Sequence, residues 1–506
     1  MNRRNPCHAL FALAASLVLG ATHSADARDA EPTYDAAAEV AAQIERIREH
    51  EDGPEGLNAI IAYSHTAGFK VREMADIGSL RGRTVLVKDN IETTEFATTA
   101  GSLALAANHT RRDAPLIAYL RSNGGVVLGK TNLSEWANIR DGNSTSGWSA
   151  VGGLTRNPHA IDRNACGSSS GSGAAVAAGF AWAAIGTETN GSITCPASIN
   201  GVVGFKPSVG VVSRTHVVPI SSTQDTAGPM ARTVADAAML LTAIAGPDAA
   251  DPVTLTAERV PDYAHGLSDY SLEGVRIGVM RGQIGGNEQV RSVFESALSD
   301  LERAGAVLVD ISFEPDERMY SDSFTVLKYE LREEMGTYLR SIPAFADGET
   351  PRSLADLIAF NEANADEEMR WFGQSIFVDA EETTDRATYE EARERAVRIA
   401  GEETLDALMA EHDIAFLTAP TRGPAWMSDL VLGDQFDGSI GFGSPAAIAG
   451  YPHLTVPMGD VEGLPVGISF FGAKWADHKV LKLGAAYERA RTAKLPEPSF
   501  ERWSPE

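Results

Sequence analysis

Cys166-Gly-Ser-Ser-Ser-Gly-Ser-Gly173 opens the stretch that decides the fold, and Gly186-Thr-Glu-Thr-Asn-Gly-Ser-Ile-Thr-Cys-Pro196 follows in its second half. The segment between them, residues 174–185, is apolar throughout, which predicts that it is buried. A serine-glycine run can be a flexible linker, but a linker leads into polar residues rather than into an apolar segment. A tight glycine turn before a buried helix instead lets backbone N–H groups and small hydroxyls converge on one point, as an oxyanion site requires. The stretch therefore predicts an active site.

Composition and charge narrow the class of protein. The chain has 506 residues, of which 43% are hydrophobic and 22% are charged, values that are ordinary for a globular protein. Its formal net charge is −26 at pH 7, and no segment forms a basic stripe. Because nucleic-acid binding needs a basic face that displaces counterions, the sequence argues against a nucleic-acid partner.

The first 27 residues predict a secretory signal peptide. Arg3 and Arg4 give a positive start, and residues 9–21 form an apolar run that is too short to span a bilayer. Ala25-Asp-Ala27 then supplies small residues for cleavage. We therefore expect an exported protein, periplasmic or secreted, with no stable membrane span after cleavage. The arginine pair does not distinguish the general secretory route from the twin-arginine route.

The cysteines leave one pairing open. Cys7 lies in the predicted signal peptide, whereas Cys166 and Cys195 each lie next to one of the serine-containing turns. In an oxidising compartment these two cysteines can form a disulfide, but small buried thiols can also serve packing alone. The sequence does not decide between the two.

Helix and strand patterns alternate along most of the chain, which indicates a layered α/β fold. Predicted strands lie at 84–87, 125–130, 307–311, 414–418 and 466–471, and predicted helices at 114–121, 235–244, 287–304 and 477–491. The charged, helical segment 325–412 predicts a cover over the α/β core. Four aromatic residues are candidates for lining a pocket, although core packing is the commoner role of such residues: Trp148, Tyr329, Trp371 and Phe377.

Other kinds of site could use the same residues. Gly167-Ser-Ser169-Ser-Gly171 matches the nucleophile elbow of the α/β-hydrolases, with His453 or His478 downstream as a base, but a poor strand pattern precedes it. A phosphate-binding loop would need a Gly-Lys-Ser/Thr ending that is missing here. The eleven histidines are scattered and form no metal-binding pair. The Ser-His α/β-hydrolase remains the alternative.

Six ordered segments resemble the amidase signature family, and the matches run from about residue 80 to 472. The segments are Val87-Lys-Asp-Asn90, Gly167-Ser-Ser-Ser-Gly-Ser-Gly-Ala-Ala-Val-Ala-Ala-Gly179, Gly186 to Ala197, Gly204-Phe-Lys-Pro207, Asp225-Thr-Ala-Gly-Pro-Met-Ala-Arg232 and Ala449-Gly-Tyr-Pro-His-Leu-Thr-Val-Pro457. The resemblance implies one large domain over 28–506, with a central mixed β-sheet covered by helices on both faces. Its core would comprise about 80–260 and 414–491.

The resemblance also implies the catalytic residues. By motif, Lys88 is the catalytic lysine, Ser168 the bridging serine after a cis peptide bond, and Ser192 the nucleophile. A neutral lysine can begin the removal of a proton from the nucleophile through the second hydroxyl, so Lys88 must be desolvated. Backbone N–H groups of Thr189, Asn190 and Gly191, together with that of Ser192, would form the oxyanion hole. No metal and no cofactor is needed.

Within the family, the chain resembles the bacterial peptide amidases. The likeness includes Glu135-Trp-Ala137, Ser146-Gly-Trp-Ser149 and the turn after Ser192. Many members have an arginine where this chain has Thr194, so a small anionic substrate held by that arginine is disfavoured. The resemblance implies hydrolysis of C-terminal peptide amides to the free acid and ammonia through an acyl-enzyme intermediate.

Other functions are weighed beside this one. Fatty, aryl or small aliphatic amides are alternative substrates of the same chemistry. From another class, a catalytically silent protein could keep the fold and present the 325–412 cover to a partner. The expected partners are a small-molecule or peptide amide and water, and the sequence does not report the oligomeric state.

Overall fold

The centre of the fold is an 11-stranded mixed β-sheet, seen here in a computed structural model of the protein. The structure describes residues 35–504 apart from positions 52, 54 and 347, so the predicted signal peptide lies outside the described residues. The strands are β1 (Ile60–Tyr63), β2 (Thr84–Lys88), β3 (Val126–Thr131), β4 (Trp148–Ser149), β5 (Gly153–Leu154), β6 (Arg156–Asn157), β7 (Ala160–Asn164), β8 (Ala183–Glu188), β9 (Val203–Lys206), β10 (Thr226–Ala231), β11 (Arg276–Met280), β12 (Val307–Ile311), β13 (Phe416–Pro420), β14 (His453–Val461) and β15 (Leu464–Phe471).

The strand order places two functional segments side by side. It runs β1-β3-β2-β8-β10-β9-β14-β15-β13-β11-β12, while β4 pairs with β5 and β6 with β7 outside the large sheet. β2 is parallel to β3 and β8, β11 is parallel to β12 and β13, and the other neighbours in the large sheet are antiparallel. Because parallel strands end at the same edge of a sheet, the ends of β2 and β8 lie together.

Helices surround this sheet. The α-helices are α1 (Ala36–His50), α2 (Ala67–Met74), α3 (Pro115–Ser122), α4 (Ser170–Ala177), α5 (Thr194–Ile199), α6 (Val234–Ile244), α7 (Glu288–Arg303), α8 (Glu317–Ser341), α9 (Leu354–Ala363), α10 (Ala365–Glu368), α11 (Ser375–Glu382), α12 (Arg386–Ala400), α13 (Ala407–Glu411), α14 (Gly443–Ala449) and α15 (Asp477–Ala490). Short 3₁₀ helices lie at Leu103–Leu105, Glu135–Asn138, Pro252–Leu255 and Arg281–Gln283, and a π-helical segment at Gly401–Asp406 joins α12 to α13.

Helices pack on both faces of the sheet, as expected. Consecutive side chains of a strand point to opposite faces. Phe470 of β15 packs in a cluster that includes residues of α6, α7 and α15, whereas Phe471 packs in a cluster with residues of α12, α13 and α14. The mixed sheet between two helical layers, in one large domain, is therefore confirmed.

The predicted cover, 325–412, contains most of α8, which begins earlier at Glu317, and all of α9 to α13. Buried residues of α8, α9 and α11 form a cluster with Trp136 and Ile139, which belong to the segment after β3. Arg140 is fully buried, forms an ion pair with Glu135 and donates to the main-chain oxygen of Glu368 at 2.5 Å. These contacts attach the cover next to the first serine-containing turn.

The apolar segment 174–185 divides into two elements. α4 ends at Ala177, the chain turns at Gly179 with a φ of +74°, and β8 begins at Ala183. β8 is an inner strand and is buried along its whole length. A buried strand and a buried helix share a continuous apolar pattern, so the sequence alone did not separate them.

Candidate active site

Lys88 is the last residue of β2, and its side chain is completely buried. Its Nζ lies 2.7 Å from Ser168 Oγ. The same Nζ donates to Thr187 Oγ1 at 2.8 Å and to the Thr187 main-chain oxygen at 3.2 Å. Asn90 Nδ2 also donates to Thr187 Oγ1, at 3.0 Å. The adjacent ends of β2 and β8 thus place an amine against the predicted bridging serine.

The charge of Lys88 is altered by this environment. Burial lowers the pKa of Lys88 from its ordinary 10.5 to about 7, although the nearby carboxylates of Asp225 and Glu188 act to raise it. A desolvated ammonium is disfavoured because it has lost its hydration. A substantial fraction of Lys88 is therefore neutral near pH 7, as a base must be.

The two predicted serines lie on adjoining turns. The Gly167–Ser168 peptide bond is cis, as the family resemblance implied. The N–H of Ser169 donates to the main-chain oxygen of Ser192 at 3.1 Å, which ties one turn to the other. Among the described residues the Ser192 hydroxyl has no hydrogen-bond partner, and it lines a cavity. Ser192 is thus placed to meet a bound molecule.

The turn before Ser192 presents free backbone donors. Gly191 has a φ of +83°, a left-handed conformation that glycine adopts readily. Within the described part of the chain, the N–H groups of the four predicted oxyanion donors, Thr189, Asn190, Gly191 and Ser192, donate to no protein acceptor. Glu188 Oε2 accepts from the next two N–H groups, those of Ile193 at 2.8 Å and the following residue at 3.0 Å. The free donors can therefore bind an oxyanion.

Asp225 supports the same turn from the side. Its Oδ1 accepts from Thr189 Oγ1 at 2.6 Å, while its Oδ2 accepts from the N–H groups of Ile220 and Ser221 at 2.8 and 2.9 Å. Ser221 in turn donates through Oγ to Glu330 of α8. Helix α8 of the cover is thereby linked to the turn that precedes Ser192.

A disulfide joins the two turns. Cys166 and Cys195, whose pairing the sequence left open, are bonded, with a sequence separation of 29 residues and a Cα–Cα distance of 6.0 Å. Cys166 precedes the cis peptide bond, and Cys195 lies three positions after Ser192. Both cysteines line the cavity at Ser192. The crosslink therefore restrains the relative positions of Ser168 and Ser192.

The cavity at Ser192 has a volume of about 270 Å³. Residues from distant parts of the chain form its walls, among them Leu327 of α8 and, after β13, Arg422, Trp426, Asp434 and Phe436. A second cavity of about 360 Å³ adjoins it, since Ala137, Thr189 and Ile220 line both. The first cavity is the candidate substrate-binding cavity because Ser192 lines it.

Known proteins resemble this chain over most of its length. A sequence model of the amidase family matches residues 59–481. The structure of native peptide amidase from Stenotrophomonas maltophilia superimposes with a TM-score of 0.86 and 44% identity, covering 92% of this chain and 96% of that chain. The chain belongs to the amidase signature family.

Two further relatives support the same assignment. A probable amidase of Arabidopsis thaliana is 37% identical over 433 residues, which are 83% of this chain and 78% of that protein. The crystal structure of an amidase family protein from Bacillus anthracis superimposes with a TM-score of 0.82 and 32% identity, covering 92% of this chain and 89% of that chain. This amidase signature enzyme is therefore a hydrolase of amide carbon–nitrogen bonds.

The α/β-hydrolase alternative does not fit this amidase. Ser169, the central serine of the G-x-S-x-G match, is completely buried and donates to the Thr187 main-chain oxygen at 3.1 Å. His453 hydrogen-bonds through Nε2 to Ser469 Oγ at 2.7 Å, and His478 Nε2 lies 2.8 Å from a main-chain oxygen. Neither histidine hydrogen-bonds to Ser169, and the strand before the turn, β7, belongs to a separate two-stranded pair.

None of the four aromatic candidates lines the cavity of the amidase. Trp148 and Phe377 are buried, and each packs edge-on against another aromatic ring. Tyr329 stacks on Tyr389 of α12 with ring centroids 4.1 Å apart, and Trp371 lies beneath an arginine guanidinium. These contacts are those of packing residues, and packing is the commoner role of such aromatic side chains.

Residues 35–504, with the gaps given above, were compared with the requirements of a metal site and of a membrane-spanning helix. Over this range no cluster of His, Cys, Asp and Glu could hold a metal ion. Over the same residues no helix is both long and apolar enough to cross a membrane.

Sequence reasoning missed several residues that organise the site. Thr187 and Glu188 lie in a motif that was quoted for its serine, and Asp225 opens another quoted motif. Their presence in those motifs was the available signal. Arg422 and Asp434 lie in no motif, and only the structure brings them to the cavity.

Proposed function

We propose that this amidase removes ammonia from C-terminal amides of peptides, with Ser192 as nucleophile, Ser168 as bridge and Lys88 as base. The observation that carries the proposal is the 2.7 Å contact between Lys88 Nζ and Ser168 Oγ, next to a cavity that Ser192 lines. A serine hydroxyl attacks an amide poorly until a base accepts its proton.

Thr187 orients the amine of Lys88. A neutral lysine has two N–H donors and one lone pair. The Thr187 hydroxyl and main-chain oxygens lie within hydrogen-bond distance of Nζ and can accept the two donors. The lone pair is then left for the Ser168 hydroxyl, which is the orientation that proton removal requires.

In the first half-reaction, Ser192 Oγ bonds to the carbonyl carbon while its proton passes to Ser168 and that of Ser168 passes to Lys88. The negative oxygen that forms would accept hydrogen bonds from among the N–H groups of Thr189, Asn190, Gly191 and Ser192. Such donors are typically worth about 3 kcal/mol each. Lys88 then returns a proton through Ser168 to the leaving nitrogen, the carbon–nitrogen bond breaks and ammonia departs.

In the second half-reaction, water attacks the ester formed on Ser192. The proton of the water passes along the same path, and collapse of the tetrahedral intermediate releases the free acid and restores the Ser192 hydroxyl. The reaction consumes one amide and one water, and it yields one acid and one ammonia. The residues of this chain supply each proton transfer.

Two observations support a peptide substrate. The likeness to a peptide amidase extends over 92% of this chain at 44% identity. In addition, Thr194 occupies the position of the arginine found in many family members, which removes that particular site for a small anionic substrate. Fatty, aryl and small aliphatic amides remain the alternatives to be tested.

The test is ammonia release from an N-acetylated peptide amide, with a small aliphatic amide, a long-chain fatty amide and an aryl ester in parallel. Wild type, Ser192→Ala and the control Ser321→Ala, which removes an exposed hydroxyl on α8, are compared. We expect release from the peptide amide in wild type and control, and none above background in Ser192→Ala. Full turnover in Ser192→Ala would refute the nucleophile, and turnover of the other amides alone would refute the substrate.

We also propose that the enzyme is exported. The pattern of residues 1–27 supports export, and the Cys166–Cys195 disulfide is of the kind that persists in oxidising compartments. Expression of the full chain in a bacterium, followed by fractionation and N-terminal sequencing, tests this proposal. We expect periplasmic or secreted protein that begins near residue 28, whereas uncleaved protein in the cytoplasm would contradict it.

A further inference from the structure

Arg422 is a cation in the wall of the cavity at Ser192. It follows β13 by two positions, and its guanidinium lies over the Phe436 ring, 4.7 Å from the ring centroid. A Cβ built on Gly191 would lie 4.0 Å from Arg422 Nη2. Because Gly191 adjoins Ser192, the guanidinium is close to the position that a scissile carbonyl would occupy.

This guanidinium has no hydrogen-bond or ion-pair partner among the residues that the structure describes. Two carboxylates are near it, but both accept hydrogen bonds from other groups. Asp434 accepts from the Ser146 N–H at 3.1 Å and from Trp426 Nε1 at 3.3 Å. Glu188 Oε2 accepts from backbone N–H groups of the turn after Ser192. Arg422 thus keeps its five N–H donors for a ligand.

An unpaired guanidinium in a cavity that also contains aromatic rings indicates an anionic ligand. Arginine binds carboxylates through two parallel hydrogen bonds, a geometry that it forms better than lysine does. We propose that Arg422 binds the side-chain carboxylate of the residue that carries the scissile amide, so that peptide amides ending in glutamate or aspartate are preferred substrates. This inference rests on the proposed peptide-amide function.

The positive charge next to the nucleophile comes from a different part of the chain than in many family members. The nucleophile turn carries the uncharged Thr194, while Arg422 approaches the same cavity from the segment after β13. Asp434 and Glu188 are the acidic groups that face Arg422, and their charges oppose an incoming carboxylate. The Asp434 carboxylate already accepts hydrogen bonds from Ser146 and Trp426, which compensate part of its charge. A side chain reaching Arg422 therefore has its favourable contact at the guanidinium.

The test uses three N-acetylated dipeptide amides that differ only in the residue bearing the amide, which is glutamate, methionine or lysine. Methionine matches glutamate in size but is uncharged. We expect wild type to show a kcat/KM for the glutamate amide roughly 10- to 100-fold above that for the methionine amide, mainly through KM, as for a hydrogen-bonded charged group. The lysine amide should be the poorest substrate.

Variants of Arg422 separate recognition from a general effect on the enzyme. Arg422→Gln should lose the preference for glutamate, so that its ratio of kcat/KM for the glutamate amide to that for the methionine amide falls to about one. Arg422→Lys should keep part of the preference, and Arg422→Glu should favour the lysine amide. The control Arg318→Gln removes an exposed guanidinium that does not line the cavity and should resemble wild type. Near-UV circular dichroism checks that each variant is folded.

The possible failures can be told apart. Hydrolysis of the glutamate and methionine amides at equal rates by wild type would overturn the role of Arg422 and leave the proposed function intact. A loss of kcat in Arg422→Gln that is equal for all three amides would also overturn it, because the residue would then act on the common reaction. If wild type released ammonia from none of the three, the proposed function itself would be wrong.

Discussion

The rate of amide hydrolysis should increase with the fraction of Lys88 that is neutral. The pH dependence of the rate is therefore the most direct test of the role of Lys88. Burial lowers the pKa of Lys88 from 10.5 to about 7. At pH 7 about half of such a lysine is neutral, compared with roughly one molecule in three thousand for an ordinary lysine. The shift thus increases the amount of usable base roughly a thousandfold, which corresponds to about 4 kcal/mol.

The sign of the pH dependence follows from the direction of that shift. Below the folded pKa, Lys88 is protonated and cannot accept a proton, so kcat/KM should fall about tenfold for each pH unit below 7. Above about pH 8 it should level off. The assay is ammonia release at pH 5 to 10 and constant ionic strength, from an N-acetylated peptide amide that has no titrating group.

Lys206 provides a matched control, because it is also completely buried and burial lowers its pKa to about 8. It donates to the Pro207 main-chain oxygen and does not contact Ser168. Lys206→Met should therefore keep the inflection near 7. Asp225→Asn should move the inflection to lower pH, because the Asp225 charge acts to raise the pKa of Lys88. A profile that is flat from pH 6 to 8, or an inflection that disappears in Lys206→Met, would refute the reasoning.

Three further outcomes are expected from residues that hold the site in place. Thr187→Val should lower kcat roughly 10- to 100-fold, because Lys88 loses the hydroxyl that orients its amine. Thr187→Ser keeps a hydroxyl and should restore kcat, which steady-state kinetics measure for both variants. Replacing Cys166 and Cys195 together by serine should lower the free energy of unfolding by about 3–4 kcal/mol, because the crosslink is lost. Thermal unfolding should then show a lower midpoint than that of wild type, and an unchanged midpoint would contradict the prediction. Glu188→Gln should lower the free energy of unfolding by about 1–3 kcal/mol, because the Glu188 carboxylate accepts the hydrogen bonds that hold the turn at Ser192. The same variant should lower kcat more than it raises KM. Equal kinetics in variant and wild type would show that the turn keeps its shape without the charge.

Local patterns in the sequence were sufficient for much of the fold. The strand that ends at Lys88 and the helices α3, α6, α7 and α15 were predicted close to their observed bounds. Each has a clear run of β-prone residues or an apolar pattern at helical spacing, and these signals are local. β8 was not separated from α4, and β9, β10 and β14 were not assigned as strands, because a strand buried on both faces has no alternation to reveal it.

The candidate site divides in a similar way. Lys88, Ser168 and Ser192 were predicted as catalytic residues from contiguous motifs, and the structure brings Lys88 to Ser168. Thr187 was not assigned, because its contact with Lys88 depends on which strands are neighbours. β2 and β8 are separated by almost a hundred residues in sequence but are adjacent in the sheet. The Cys166–Cys195 pairing likewise depends on two turns meeting in space.

The location of Arg422 explains why the reaction could be inferred more readily than the substrate. The proposed relay lies at the ends of β2 and β8, where the side chains of Lys88 and Ser168 are completely buried and main-chain hydrogen bonds join the turns. By contrast, residues 421–442 form no helix and contain only an isolated β-bridge, yet they supply much of the cavity wall. Several apolar side chains of this segment are exposed: Met427, Val431, Leu432 and Phe436.

Substitutions at the exposed positions of this segment disturb few packed contacts, so the chain can change which amide it accepts while the relay stays in place. On the proposals above, the family motifs report the chemistry and Arg422 reports the selectivity. If this division holds, moving residues 421–442 of another family member into this chain should change the preference among amides and leave the pH dependence set by Lys88 unchanged. A transplant that shifted the inflection of the pH profile would show instead that the cavity wall and the relay are energetically coupled.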